Sequence, residues 1–463
     1  MQSAGQSKGL HAYTNMNYSL RKLIFGLIGI LTMGLLAGTA SEAPQLPEDV
    51  FPALRQILAD AAKQSPRMMA RNLELLIADG DLVQAKAARY PSAGGSYQFS
   101  KTRDKREDIT ETLPTDKTFY NFSITQPIYH WGAIRDSVQI GEIRRQIAEE
   151  NYGEANRLLS QEIRSAYLAL ILNKIGLKNA TYSRKLADDA LVVAEDRLQK
   201  KVISEGAIFQ TRMSADQARL NQDTGDWYFQ VAKRDFAILT GQAELFDAQI
   251  PDQIPGLLAS SEAVSQLLAQ FIAKDQLDTA TAKIYRQQIE IDTLSYKIQR
   301  TRLRPKLNFV VGLTQDQQSY TTNIAQKYGL QSQYIGLQVS WSIFDGFATR
   351  GAVASALARK RLSEQNYRDY SSKLAQDAQK AAKSVDLAQR QLAISERLLD
   401  NAGNFLSYTK EDFNRGQASE AEVNAAQANF NGLNNATNGS RRDYLLKVSE
   451  FMSLIGEDAI AVR

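Results

Sequence analysis

His130 and Asp136 are the chain's nearest approach to a catalytic pair. A carboxylate that orients an imidazole can make it a general base, but such a base needs a nucleophile or a metal to act on. Neither accompanies this pair, and the one other histidine among the 463 residues is His11. There is no cysteine, which removes disulfide frameworks, thiolate zinc and iron–sulfur sites, and a lipidated N-terminal cysteine. The sequence holds no glycine-rich phosphate loop, no metal-ligand cluster and no basic patch with interleaved aromatics. The expectation is a protein that is not an enzyme, with no cofactor and no nucleic-acid partner.

Residues suited to contact and electrostatics stand out instead. Lys200, Lys201 and Glu205 cluster in one short segment, and Arg415 and Gly416 lie in another. Tyr129 and Trp131, then Trp341 and Phe344, form two aromatic groups that read either as a membrane-interface belt or as ordinary packing. What these residues can do depends on the elements that carry them.

The ten prolines leave residues 128–250 and 306–463 without any. Proline costs about 3 kcal/mol inside a helix, so these runs predict very long helices. Residues 1–40 carry Lys8, Arg21 and Lys22, no acid, and an apolar run from 23 to 37. This reads as a secretory leader cleaved near Ala40 rather than an anchor, because the run is shorter than the ~20 residues a spanning helix needs. Its removal takes three of the 55 basic residues against 51 acids and leaves a nearly neutral mature chain.

The rest is written twice, at an offset that places Ile128, Ala133 and Arg135 on Ile343, Ala348 and Arg350, and Phe236 and Gly241 on Phe451 and Gly456. The boundaries expected are 41–240 for the first repeat, 241–261 for a linker or equatorial segment that forms part of a band around the helices, 262–456 for the second repeat and 457–463 for a tail. Each repeat opens with a helix, over 48–89 and 261–304. Two alternating apolar segments follow, with Tyr97, Phe99, Tyr120, Phe122, Ile124 and Ile128 in the first copy. The second has Leu307 to Leu313 and Ile335 to Ile343 at every other position, which is the period of a strand with one apolar face. Polar loops are expected over 101–117 and 314–333. A long hairpin completes the repeat: in the second copy Leu374, Ala378, Ala381, Val385, Ala388, Leu392, Ser395, Leu399, Ala402 and Leu406 form a heptad seam. That seam predicts a helix over 349–414, a turn at Arg415 and Gly416, and a return helix over 420–455. The first hairpin is expected to turn near 200–204.

Four strands of about ten residues suit the height of a bilayer core, but spanning strands must close, and known barrels need about eight or more. Three copies of this chain would supply twelve. The alternative is a soluble periplasmic coiled-coil adaptor or structural protein with a small sheet.

The chain resembles the TolC-like outer-membrane efflux proteins, or outer membrane factors. The resemblance rests on AAKQSPRM and AKAARYP in the lead helix, ITQPIYHWG at 124–132, VSWSIFDGF at 339–347, DFNRGQASEAEV at 412–423 and FMSLIG at 451–456. It implies a mainly α chain with a membrane β-barrel: long antiparallel coiled-coil helices forming an α-barrel, with four strands per chain closing as a 12-stranded barrel in a homotrimer. It implies an outer-membrane location with the helices in the periplasm. The function implied is a passive exit duct, for a tripartite efflux pump or a type I secretion system, working with a periplasmic adaptor (membrane fusion protein) and an inner-membrane transporter. By the same resemblance Phe413 takes the place of an aromatic gating residue, Gly416 that of the turn glycine, and Glu422 that of an acid facing the entrance. Glu422 is thus either part of a cation-attracting ring or a solvated helix-face residue. The sequence departs from the pattern at Ala418 and Ala425, and in the first copy at Lys201 and Ala207, which puts the usual ionic lock in doubt. Lys200 and Lys201 are expected to contact the adaptor or to counter Glu205.

Overall fold

The computed structural model describes residues 44–104, 113–257, 261–274, 277–320 and 327–458. The leader expected over 1–40 and most of the tail lie outside the described residues. Three helices open the chain: α1 (Pro47–Val50), α2 (Pro52–Gln64) and α3 (Pro66–Ala87). Strands β1 (Ser92–Asp104) and β2 (Leu113–Tyr129) follow, then α4 (Ala133–Gln199) and α5 (Glu205–Thr240). After a single 3-10 turn at Asp247–Gln249 come α6 (Ser261–Ala273), α7 (Ala280–Arg300), β3 (Lys306–Tyr320), β4 (Lys327–Ser340), α8 (Ala348–Asn414) and α9 (Glu420–Ile455).

In the second copy α8 and α9 have their expected bounds to within a residue, and the first hairpin turns between Gln199 and Glu205 as expected. Both α4 and α8 contain 67 residues, about 100 Å at 1.5 Å per residue, and each pairs with a return helix of 36. Along α8 the seam residues Leu374, Ala378, Val385, Leu392, Ser395, Ala402 and Leu406 are buried. They pack against α9 because a repeat of alternating four and three keeps one stripe facing the partner.

The lead helices differ from expectation. The first is broken at Phe51 and Ser65, whose backbones are extended. Each precedes a proline, which lacks an N–H and crowds the preceding residue out of the helical region, but fits the first position of a new helix. The second is divided between α6 and α7, and the restart is marked by Thr279, whose hydroxyl accepts from the Ala282 amide at 3.3 Å. The strands are also longer than ten residues, at 13, 17, 15 and 14, and extend into the segments read as polar loops. Polar residues occupy both faces there, as Gln315, Asp316, Gln317 and Gln318 do in β3, without breaking the ladder. Trp341 and Ile343, read as strand, lie just beyond β4.

The return and lead helices stack end to end. Gly241, at φ +71, closes α5 so tightly against the junction of α2 and α3 that a Cβ would fall 2.4 Å from the Gln64 carbonyl oxygen. At the second copy Gly456 meets Thr279. The main core lies at this level: Leu54, Leu58, Ala61 and Met68 pack on Leu159, Ile163, Tyr167 and Ile171 of α4, with Phe229 and Phe236 of α5. A second cluster joins Val264 and Phe271 of α6 to α8 and to Tyr444, Val448 and Phe451 of α9.

Candidate functional site

The sheet has the order β1-β2-β3-β4, every pair antiparallel, so β1 and β4 are its edges. Its register places residues of like character in rows. Ala93, Ile124, Val311 and Ile335 form one row, while Ser96, Asn121, Thr314 and Ser332 form a row on the opposite face. The first face continues through Tyr97, Phe122, Leu337 and Val339, all exposed, with Ile335 at 73% and Leu337 at 66%. The other carries Ser123, Thr125, Asn308 and Gln338, with Phe119, Val310, Leu330 and Tyr334 as apolar exceptions. A soluble sheet of this kind would bury its apolar face against a helix or a second sheet. Here that face is open along about 20 Å of strand from Leu307 to Leu313 at 3.3 Å per residue, as the lipid-facing side of a barrel wall is. Among the described residues no helix is long and apolar enough to cross a membrane.

Aromatic side chains mark the end of the sheet from which the helices leave. The Tyr129 and Trp131 rings meet edge to face at 5.0 Å, and Phe344 meets Phe347 at 5.4 Å. The Trp131 indole donates to the Pro305 carbonyl at 2.7 Å, and Trp341 to that of Leu303 at 3.0 Å. The segment before β3 is therefore pinned from both sides. Trp131 and Phe347 have φ of +57° and +69° beside left-handed Gly132 and Gly346. Each strand-to-helix junction thus uses two consecutive left-handed residues, one glycine and one aromatic, in opposite order. The structure does not unite the sequence's catalytic pair: His130 shares a hydrogen bond with Asn308 at 2.9 Å, whereas Asp136 pairs with Arg135 at 3.3 Å. Among the described residues no group of three His, Asp or Glu could hold a metal.

The hairpin turns place the remaining sequence-selected residues. Phe413 is 44% exposed on the last turn of α8. Arg415 caps that helix and lies 3.6 Å from Glu411. Gly416 has φ +73 and returns an amide to the Phe413 carbonyl at 2.9 Å. Glu422 accepts from the Ser419 amide at 2.7 Å and from its hydroxyl at 2.9 Å, while its own amide points at the Ser419 hydroxyl. This capping box starts α9, and the Ser419 backbone bond, then the hydroxyl bond, hold the Glu422 carboxyl below the usual glutamate range. In the first turn Ala207 stands at that position, and Ser204 caps alone. Lys200 pairs with Asp196 at 2.7 Å on its own helix, not with Glu205. An i,i+4 carboxylate lies nearer than one across the turn. Lys201 adopts φ +57, a left-handed conformation that glycine takes at lower energy. Glu205 is the first residue of α5, where an acid favours the helix dipole.

One feature had no signal in the sequence reading. Arg164 is fully buried with Glu48 and Asp458, at 0%, 2% and 1% exposure. Its Nε and Nη2 donate to Glu48, Nη1 and Nη2 to Asp458, and Nη1 to the Ser449 hydroxyl at 3.0 Å. All five guanidinium N–H groups are used. Burial lowers the Arg164 pKa, but the bonds to Asp458 and Glu48 outweigh it and leave it above the ordinary arginine value. The segment 241–257, read from the sequence as a linker, straps three helices. Lys174 of α4 donates to the Asp247 and Ile250 carbonyls, Lys233 of α5 pairs with Asp247, and Asn438 and Arg441 of α9 bind the Ile254 backbone. Asp252 is held at about 2 by hydrogen bonds from Lys174 and Lys178. Only an alternation of periods is visible in sequence, and these partners lie far apart along the chain.

The family described as outer membrane efflux protein matches residues 57–227 and 269–457. The fold is similar to that of the CmeC outer membrane channel of Campylobacter jejuni, with 15% identity over 91% of this chain and 90% of that one and a TM-score of 0.69. It is also similar to the VceC outer membrane protein of Vibrio cholerae, at 17% identity, 89% and 98% coverage and a TM-score of 0.64. The open state of the MtrE outer membrane channel of Neisseria gonorrhoeae gives 11% identity, 88% and 89% coverage and a TM-score of 0.63. At these identities the likeness is one of fold. No curated protein matches the chain.

Proposed function

Because the chain belongs to the outer membrane efflux protein family, we propose that it acts as the trimeric exit duct of an efflux assembly. It is an outer-membrane efflux channel whose helices extend into the periplasm, and it is not an enzyme. The finer reading is that three chains close head to tail, with β1 of one protomer pairing β4 of the next into a 12-stranded barrel. The observation that carries it is the open apolar face of a sheet with two unpaired edges, since neither is stable in lipid until the ring closes. The helices offer matching flanks: Met69, Leu73, Leu76 and Ile77 are exposed on α3, and Leu387, Leu398 and Phe405 on α8. In this arrangement a periplasmic adaptor and an inner-membrane transporter deliver cargo, as a drug pump or a type I secretion system would, and the energy comes from the transporter.

The hairpin turns form the periplasmic entrance in this reading. Three copies of Glu422 give a ring that favours cations, with Phe413 beside it as the narrowing side chain. Lys200, Lys201 and Arg415 present the charges met by the adaptor. Planar-bilayer conductance of the purified protein tests the duct: ohmic single-channel steps from a species that migrates as a trimer without heating are expected. A soluble, monomeric, non-conducting protein would overturn it. For the entrance, Glu422→Gln is expected to reduce cation selectivity, and an unchanged reversal potential in a salt gradient would reject the ring.

A further inference from the structure

The aromatic collar holds a cation that no acid among the described residues satisfies. Arg304 is exposed, and its guanidinium lies 4.8 Å over the Trp131 ring. Its neighbours are engaged otherwise: Arg135 faces Asp136. Arg302 acts on Asp345, whose carboxylate also accepts from Thr349. Lys306 pairs in register with Ser340 on the polar face of the sheet. Arg300 stacks on Tyr296 of α7 at 5.8 Å. Among the described residues no carboxylate pairs with Arg304.

Its height is fixed. The Trp131 indole is bonded to the Pro305 carbonyl, one residue along from Arg304, and the Trp341 indole to Leu303, one residue before it. Trp131 contacts Tyr129, which pairs with Leu307 at the start of the outward apolar face. Trp131 also holds a left-handed backbone that glycine would adopt with less strain, so the placement of the ring is maintained against its local conformational preference. A guanidinium stacked by one face on an indole keeps its N–H edges free, and those edges match the oxygens of a phosphate.

We propose that Arg304 and Trp131 form a binding site for the phosphate of an anionic phospholipid in the membrane leaflet nearest the helices. The acyl chains of that lipid lie against Leu307, Leu337 and Val339. Charge complementarity selects the headgroup, and continuity with the lipid-facing sheet selects a membrane lipid over a soluble phosphate. A closed ring carries three such sites and fixes the depth at which the helices leave the bilayer. This rests on the reading of the sheet as a barrel wall.

The test uses the full chain in vesicles of equal phosphatidylglycerol and phosphatidylethanolamine with matched acyl chains, followed by mild extraction and measurement of the lipid carried with the protein. Wild type is expected to be enriched in phosphatidylglycerol. Arg304→Gln should lose that enrichment by about fivefold, the scale of one arginine at an anionic surface, while Arg304→Lys keeps part of it. Arg397→Gln, an exposed position about 70 Å down α8 from the sheet, should behave as wild type. Retention by Arg304→Gln equal to wild type, or an equal loss in Arg397→Gln, would overturn the site. So would equal amounts of the two lipids on the wild-type protein, which needs no variant to fold. Wild-type protein that inserts and conducts without lipid preference would defeat this inference alone, whereas failure to insert would defeat the channel reading.

Discussion

Arg164→Met removes a guanidinium whose five donors are all bound, and leaves Glu48 and Asp458 facing each other in a site almost closed to water. The methionine fills much of the volume, so the loss is electrostatic rather than a cavity. Breaking a buried ion pair from one side typically costs about 3–5 kcal/mol, or roughly two to nearly four orders of magnitude in a local opening equilibrium. The consequence is regional, because Glu48 belongs to α1 and Asp458 follows α9, and Arg164 is what ties both ends of the described chain to the middle of α4. Hydrogen exchange resolved by peptide should show the amides around 46–51 and 452–457 losing protection by that factor, with α8 near Val385 unchanged. The triple variant Arg164→Met, Glu48→Gln, Asp458→Asn removes the stranded charges and is expected to recover most of the loss. Protection in Arg164→Met equal to wild type would refute the reasoning, as would a triple variant no better than the single one.

Other outcomes follow from the turns and seams. Lys201→Gly relieves a left-handed backbone and should stabilise the first turn by about 1 kcal/mol, while Gly416→Ala should destabilise the second by a similar amount, both read from amide exchange at the tips. Glu422 has a depressed folded pKa, so the stability it gives α9 is present above the ordinary glutamate range and lost as pH falls through the folded value; protection at 420–424, taken relative to the intrinsic exchange rate at each pH, should fall on acidification in wild type but not in Glu422→Gln. Leu392→Ala, at a buried seam position, should cost about 2–5 kcal/mol of hairpin stability. By contrast Leu398→Glu, exposed on the same helix, should leave helix content intact and lower trimer yield on unheated gels.

The residues at the second tip show how far sequence reading reached. Gly416 was legible as a left-handed turn because glycine is the residue that takes that conformation with least strain, and Arg415 followed from where the heptads stop, whereas Phe413 came only from the resemblance to the family. Glu422 was legible as a charge but not as a cap, since its bond to Ser419 depends on where α9 starts. Lys201 illustrates the converse: the chain adopts the same turn without glycine, because the paired helices fix its ends. The broken lead helix could have been read from Pro52 and Pro66, whereas the division at Thr279 had only a capping threonine to announce it.

By itself, the sequence determined the elements whose signals are periodic and local. These are two helical hairpins from a three-four repeat and proline-free runs, four strands from alternation, and hence a sheet too small to close within one chain. Only the tertiary structure decided which strand rows align, that their apolar face stays uncovered, and that Arg164 meets partners 116 and 294 residues away in sequence. The physical reason is range. Backbone preference and side-chain period act over a few residues and leave a record in the order of amino acids. A buried arginine's partners are instead set by where distant helices cross, which no local pattern encodes.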